Sequence, residues 1–425
     1  MPEILPFRGY RYDLSRVDIQ DVVAPPYDVI SPQQQAQLYD KSPYNVVRLI
    51  LGREEDRYAS AAKYFLEWQD KGQLARDKKP CFYALQQKFD GLNGKRITRK
   101  GFIALCRLEE FEKKIVLPHE KTLAKPREDR FQLFKATRAN FSQIFSLYSD
   151  PEKRVDSSLN GATNKPPMVE VVFEDVENRI WMVEDEKSIA AMQRFLADKQ
   201  VLIADGHHRY ETALAYRDFM RSQNKNPSGR EGYEYVMMFF TNLEDEGLVI
   251  YPTHRLVHSL TRFDAKQFLS RISEHFVCRE FKDRHMLVLA LQSGSMKSFG
   301  LVLQGDPTFR LITLKPTAPV AEIVRENGPR EVRELDVTLL HSLILHDMLR
   351  ISPEAQEQKL NLSYVKSIDE AIESTNSGKA QLAFLMNATK IEEVRAVSQA
   401  GFTMPQKSTY FYPKLLSGLL INKLD

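Results

Sequence analysis

The stretch VLIADGHHRYETALAYRDFM, Val201 to Met220, restricts the fold more than any other part of the chain. Val201–Ala204 is short, apolar and followed by a breaker, as a buried strand is. Asp205-Gly206 is a turn signal with its own mechanism: Asp accepts backbone hydrogen bonds, and Gly takes backbone angles closed to other residues. Beyond it, Tyr210, Ala213 and Leu214 share one helical face. A strand that turns directly into a helix needs that helix packed back on a sheet, so the sequence predicts layered α and β structure.

The predicted helix opens with His207, His208 and Arg209, although a helix N-terminus carries partial positive charge and disfavours cations. A bound anion removes the conflict. A phosphate there is attracted by the free N–H groups, by Arg209 and by either His. Asp205 could orient a His or hold a magnesium ion carried by a nucleotide. The plainer alternative pairs Arg209 with Glu211 or Asp218 and leaves the histidines filling space. Zinc is a further alternative, because His207 and Glu211 are four apart, but no HExxH is present and a third ligand has to come from afar.

Elsewhere, Ser31 is placed to cap a helix beginning at Pro32. YNVVRLIL (Tyr44 to Leu51) reads as a strand ending at Gly52, and Tyr58 to Trp68 as a helix stopping near Gly72. Two β-rich runs flank a turn with Asp90-Gly91 and Asn93-Gly94, which predicts a hairpin. A helix is expected around Arg127–Thr137, then a strand near Ile144–Tyr148. SDPEKRVDSSLNGATNKPP is polar and broken, and reads as a surface loop. Two strands and a helix lead into Val201, and two buried strands around an acidic turn are expected in YEYVMMFFTNLEDEGLVIYPTHRLV. The texture then changes near residues 258–265, which divides the chain into an N-terminal region, 1–260, and a C-terminal α/β domain, 261–425.

A second constellation lies in LPHEKTLAKPREDR, with His119, Glu120, Lys121, Thr122, Lys125, Arg127 and Arg130 in and after one loop. A Glu there serves as a general base only if the fold brings it to a hydroxyl; otherwise the segment is a solvated, charge-rich loop. YPTHRLV places His254 and Arg255 beside a strand, as phosphate contacts or as a surface salt bridge. MPQKSTYFYPKL gathers Lys407, Ser408, Thr409 and Lys414. Arg8 and Tyr27 could close over a ligand. His341 and His346, five apart on a helix, do not align for one metal and read as core residues.

The 60 basic and 57 acidic residues leave a net charge of +3, too balanced for a general polyanion binder, and no recognition helix stands out, so nucleic acid is not an expected partner. Three scattered cysteines suggest no disulfide framework. No signal peptide or apolar run long enough for a bilayer is read, so a cytoplasmic protein without membrane contact is expected. The oligomeric state is not legible.

VVAPPYDVIS, PYNVVRLIL, PHEKTLAKPREDR, FSLYSD, ADGHHRYETAL, YPTHRLV, ELDVTLLHSLIL and MPQKSTYFYPKLLSGL together resemble the bacterial and archaeal family catalogued as DUF1015, along nearly the whole chain. A Glu after His, followed later by Asp-Gly-His-His-Arg, is remotely similar to the free serine kinases of the ParB/sulfiredoxin-like superfamily, which transfer a phosphoryl group from a nucleotide to free L-serine. The spacing from Glu120 to Asp205 is longer here than in those kinases. This resemblance implies a mixed α/β (α+β) fold with a ParB/sulfiredoxin-like core, an N-terminal elaboration and an additional C-terminal α/β domain. It implies catalytic roles for Glu120 (base), Asp205 and His207. It also implies that His208 and Arg209 contact phosphate and substrate, with ATP or ADP and Mg²⁺; His119, His254, Arg255, Lys407, Ser408 and Thr409 are expected as further phosphate or substrate contacts from their residue types. No P-loop and no kinase-type GxGxxG is present, so a nucleotide has to be held differently. The competing expectations are a non-catalytic or slowly hydrolysing nucleotide-binding ParB-like protein and a metal-dependent hydrolase.

Overall fold

The computed structural model describes residues 1–92, 94–120, 124–294, 297–324 and 328–424, with backbone alone at 124–126. The chain forms two compact units. One comprises Met1–Pro118, Thr122–Val249 and Phe411–Asp425; the other comprises His119–Lys121 and Ile250–Tyr410.

The first unit is built on a mixed nine-stranded sheet. Val201–Asp205 runs parallel to Val116–Leu117 on one side and antiparallel to Ile144–Tyr148 on the other. Ile144–Tyr148 is in turn parallel to Tyr235–Asn242. The hairpin Phe82–Asp90 and Arg96–Arg107 continues the sheet, followed by Val176–Val183 and Val169–Phe173. Alternation sends Val201 and Ile203 into a core with Phe102, Ala104, Val236, Met238 and Phe240, where they meet Tyr210, Ala213 and Leu214 of the helix His207–Gln223. Each Val, Ile, Leu, Met or Phe side chain so buried contributes about 1.5–3 kcal/mol. The helix is therefore held on the sheet by the face its sequence spacing marks out.

Two positions in this unit require glycine, Gly101 for space and Gly206 for its backbone angle. A Cβ on Gly101 would lie 2.2 Å from the carbonyl oxygen of Phe240 and 2.6 Å from the Phe239 ring. Gly206 has φ +97°, and a Cβ there would lie 2.8 Å from the Arg209 guanidinium.

Two expectations are overturned. Val47–Ile50 is a short α-helix, not part of a strand. The fully buried Asn45 explains it: its Oδ1 accepts from Val47 N, and its Nδ2 donates to the carbonyls of Asp21 and Val23, so the backbone is held locally. Within SDPEKRVDSSLNGATNKPP, Arg154–Thr163 is a helix rather than a surface loop. Asp150 accepts from Val155 N at its start, and Val155 and Leu159, four apart, are the buried face. Tyr235–Asn242 is a buried strand as expected, but His254–Val257 belongs to the other unit's sheet.

The second unit carries a six-stranded antiparallel sheet in the order Phe276–Phe281, Phe309–Leu314, Ser298–Leu303, Leu382–Leu385, His254–Val257 and Leu362–Val365. Helices Ala265–His275, Arg284–Ser293, Ile368–Asn376 and Ile391–Gln399 accompany it. Leu339–Met348, read from the sequence as strongly helical, is wound as a π-helix. Among the described residues, no helix is long and apolar enough to cross a membrane.

Candidate functional site

In the first unit the 205–209 turn is organised around one carboxylate. Arg209 Nη2 donates to Asp205 Oδ2 at 2.7 Å, and Lys414 Nζ donates to Asp205 Oδ1. Arg209 Nη1 also donates to the carbonyl of Gln143. The guanidinium is thus fastened by Asp205, four residues earlier, and not by either acidic residue that the plainer reading offered. His207 is 5% exposed and His208 half-buried. Glu211 pairs with Arg127 at 3.5 Å.

Lys414 reaches Asp205 because a buried arginine holds the segment just before it. Arg99, fully buried, donates to the carbonyls of Tyr412 at 3.2 Å and Pro413 at 2.5 Å. Its guanidinium lies 4.5 Å from the Phe145 ring centroid, and Gln87 accepts from its Nε. Burial lowers the Arg99 pKa, while the charges of Asp245 and Asp205 raise it. The sequence reading missed Arg99; its position inside a strand carries no local signal.

Magnesium does not suit Asp205 in this arrangement. Both carboxylate oxygens already face cationic donors, and a third cation would add repulsion. Among the described residues, no three His, Cys, Asp or Glu side chains gather as a metal ion would require.

Beside Arg209 is a cavity of about 40 Å³ whose polar lining is Tyr27, Arg130, Asn140, Ser142 and Arg209. Arg130 Nε donates to Asp129 at 2.6 Å, and its guanidinium stacks 4.1 Å from the Tyr27 ring centroid. Burial pushes the Tyr27 hydroxyl up to about 12, against the pull of Arg130. Arg8, the other candidate for closing over a ligand, instead donates to the Asp77 carbonyl at 2.8 Å.

The second unit gathers the remaining candidates. His119 Nε2 and Thr409 Oγ1 are 2.8 Å apart, and Ser408 N donates to Glu120 Oε1 at 3.1 Å. Arg255 Nη2 donates to the Lys407 carbonyl at 3.0 Å. One turn, 407–409, therefore contacts Glu120, His119 and Arg255. Burial lowers the Arg255 pKa, offset by Tyr364 and Glu120. His254 is also buried, and its Nδ1 accepts from Met386 N at 3.1 Å. That bond fixes the neutral tautomer with its proton on Nε2. Lys121 and Thr122 lie outside the described residues, as does the Lys125 side chain.

Burial holds the His254 pKa down to about 4 and that of His341 down to about 3. An unfolded His titrates near 6.5. As pH falls through about 6.5 towards 4, the unfolded chain takes up a proton at His254 that the folded chain refuses. Stability present above pH 6.5 is therefore lost in that window, by about 1.4 kcal/mol per pH unit at most for this residue. Denaturant titrations between pH 7 and 5 are expected to show the slope. In His254→Asn, whose Oδ1 can still accept from Met386, the slope should be smaller; an unchanged slope excludes His254 as its source.

The model of a family described as "Protein of unknown function (DUF1015)" matches residues 4–338. No curated protein matches the chain. A conserved hypothetical protein from Pyrococcus furiosus is similar at 15% identity and a TM-score of 0.36, over 74% of this chain and 92% of that one. A variant of a free serine kinase in complex with ADP is similar at 14% identity and a TM-score of 0.37, over 73% and 87%. SbnI with C-terminal truncation, from Staphylococcus aureus, is similar at 11% identity and a TM-score of 0.36, over 74% and 85%.

Proposed function

The chain belongs to the DUF1015 family, matched over residues 4–338, and from the chemistry of its 205–209 turn we propose that it is a small-molecule phosphotransferase acting on free L-serine or O-phosphoserine with ATP or ADP. The observation that carries this reading is the pairing of Arg209 and Lys414 on Asp205, where the helix His207–Gln223 begins at a left-handed glycine. Phosphoryl transfer asks a protein for positioning and for cations at the developing charge, with little covalent chemistry. Two cations and a helix N-terminus meet that need. The substrate class comes from the motif resemblance to free serine kinases.

In the forward direction a bond forms between the serine hydroxyl oxygen and phosphorus as the bond from phosphorus to the nucleotide's bridging oxygen breaks. The electron pair of that bond leaves with the nucleotide. Glu120 is the proposed acceptor of the hydroxyl proton. Asp205 positions Arg209 and Lys414, and Arg209, His207 and His208 are proposed phosphate contacts. In the other unit, His119, His254, Arg255, Lys407, Ser408 and Thr409 are proposed phosphate or substrate contacts. The reverse reaction moves the phosphoryl group from O-phosphoserine to ADP.

Incubation with L-serine, ATP or ADP, and Mg²⁺ is expected to yield O-phosphoserine, and the reverse mixture to consume it. Glu120→Gln should lower turnover by about 10²-fold or more while changing nucleotide binding little. Wild-type turnover in that variant removes Glu120 from the mechanism. Nucleotide binding without consumption of serine or phosphoserine in either direction replaces the proposal with the non-catalytic reading.

A further inference from the structure

The first unit holds another cavity, of about 550 Å³, that shares no lining residue with the 205–209 turn. Three helices wall it. Arg57–Asp70 contributes Phe65 and Leu66, Ala124–Thr137 contributes Ala136, and His207–Gln223 contributes Met220. Tyr233 and Leu424 complete the apolar wall. Met220 lies about three helical turns beyond Arg209, so the cavity is at the far end of that helix. Cavities of about 300–1,000 Å³ take a whole small ligand. One wall residue is also unusually open: Leu66 is 54% exposed, although Phe65 beside it is buried. A lone exposed Leu is ordinary, but one that lines a ligand-sized cavity gains when an apolar body covers it.

The backbone around the cavity is largely closed. Thr137 Oγ1 donates to the Leu133 carbonyl at 2.7 Å, Arg138 N to that of Phe134 at 2.8 Å, and Leu424 N to that of Arg138 at 2.8 Å. Asn224 N donates to the Met220 carbonyl at 3.0 Å. Side-chain charge therefore decides what the ligand carries. Glu231, in the lining, is already engaged as an acceptor from Ser228 N at 2.5 Å and Asn224 Nδ2 at 3.5 Å. Lys423 also stands in the lining. Arg138 differs from both: it is exposed, and among the described residues its guanidinium has no hydrogen bond or ion pair. Its backbone is left-handed, with φ +48°, directly after the helix Ala124–Thr137, where glycine is the usual residue. An arginine there leaves a bidentate donor at the edge of an apolar wall, the arrangement that recognises a carboxylate.

We propose that this cavity binds a monocarboxylic acid with an apolar body, the body against Leu66, Met220 and Tyr233 and the carboxylate on Arg138. Met220, with its adaptable thioether, and the Tyr233 ring can pack against either a chain or an aromatic ring. The assignment is independent of the proposed phosphotransferase activity.

The test is calorimetric titration of the full chain with octanoate and phenylpropanoate, and with acetate, octanol and octylamine as controls. At least one of the two acids is expected to bind, octanol about tenfold or more weaker, and acetate not at all. Octanoate alone or phenylpropanoate alone upholds the site and fixes the body as a chain or a ring. Arg138→Gly keeps both backbone bonds of residue 138 and suits its φ. It should show no loss of Tm, and its affinity for the acid should fall to that of octanol. Ala136→Trp, at an exposed helix position, fills the cavity and should abolish binding of every probe. Octanol or octylamine binding the wild type as tightly as the acids overturns the carboxylate assignment. A lowered Tm with unchanged acid affinity in Arg138→Gly makes Arg138 a helix-end residue and overturns its role. Wild-type affinity in Ala136→Trp, or no probe binding to the wild type, overturns the site altogether.

Discussion

Asp205→Ala is expected to destabilise the protein by about 3 kcal/mol, the lower end of the range for removing one member of a buried ion pair. The carboxylate is the shared partner of Arg209, at 2.7 Å, and Lys414, whose side chains are 11% and 14% exposed. Without it, two cations with little access to water face each other. Arg209 keeps the Gln143 carbonyl as an acceptor, which holds the guanidinium near its place but does not neutralise it. Asp205→Asn retains an acceptor and loses the charge, so its cost should be intermediate. Urea denaturation gives the values, and an unchanged midpoint in Asp205→Ala would show that the carboxylate is not what holds the turn. Inorganic phosphate should restore part of the loss, since a ligand that binds only the folded state stabilises it in proportion to its occupancy.

Gly101→Val is expected to leave little folded protein. The offending contact is with backbone: the Cβ position is 2.2 Å from the Phe240 carbonyl oxygen. Gly101 sits in Arg96–Arg107, flanked by Phe82–Asp90 on one side and Tyr235–Asn242 on the other, so neither neighbour can move without breaking a ladder. Overpacking a core ordinarily costs about 1–3 kcal/mol, and more where backbone has to shift. Even Gly101→Ala should therefore exceed about 3 kcal/mol. Soluble yield and thermal unfolding measure this. A Gly101→Val protein with wild-type Tm would mean that the two strands do not approach as closely as described.

Most helices and strands of the first unit were legible because one face of each is apolar at the right period. The sequence reading failed where a polar side chain overrode that pattern. Asn45 bonds three backbone groups and turns a run rich in Val, Leu and Ile, which reads as a strand, into a helix. Arg154–Thr163 was hidden for the opposite reason: two buried apolar residues suffice for a short helix, and the polar residues around them looked like a loop. At the candidate site, residue types were readable but partners were not. Glu120 and Ser408 are 288 positions apart, and Asp205 and Lys414 are 209 apart. No local spacing announces such pairs.

The return of Phe411–Asp425 to the first unit sets an order on biosynthesis. Arg99 cannot bond Tyr412 and Pro413, nor Asp205 bond Lys414, until the ribosome has added Ile250–Tyr410. At ordinary translation speeds of about 5–20 residues per second, that interval lasts roughly 8–32 s. Throughout it Arg99 lacks the two carbonyls it bonds in the finished fold, and Asp205 has Arg209 without Lys414.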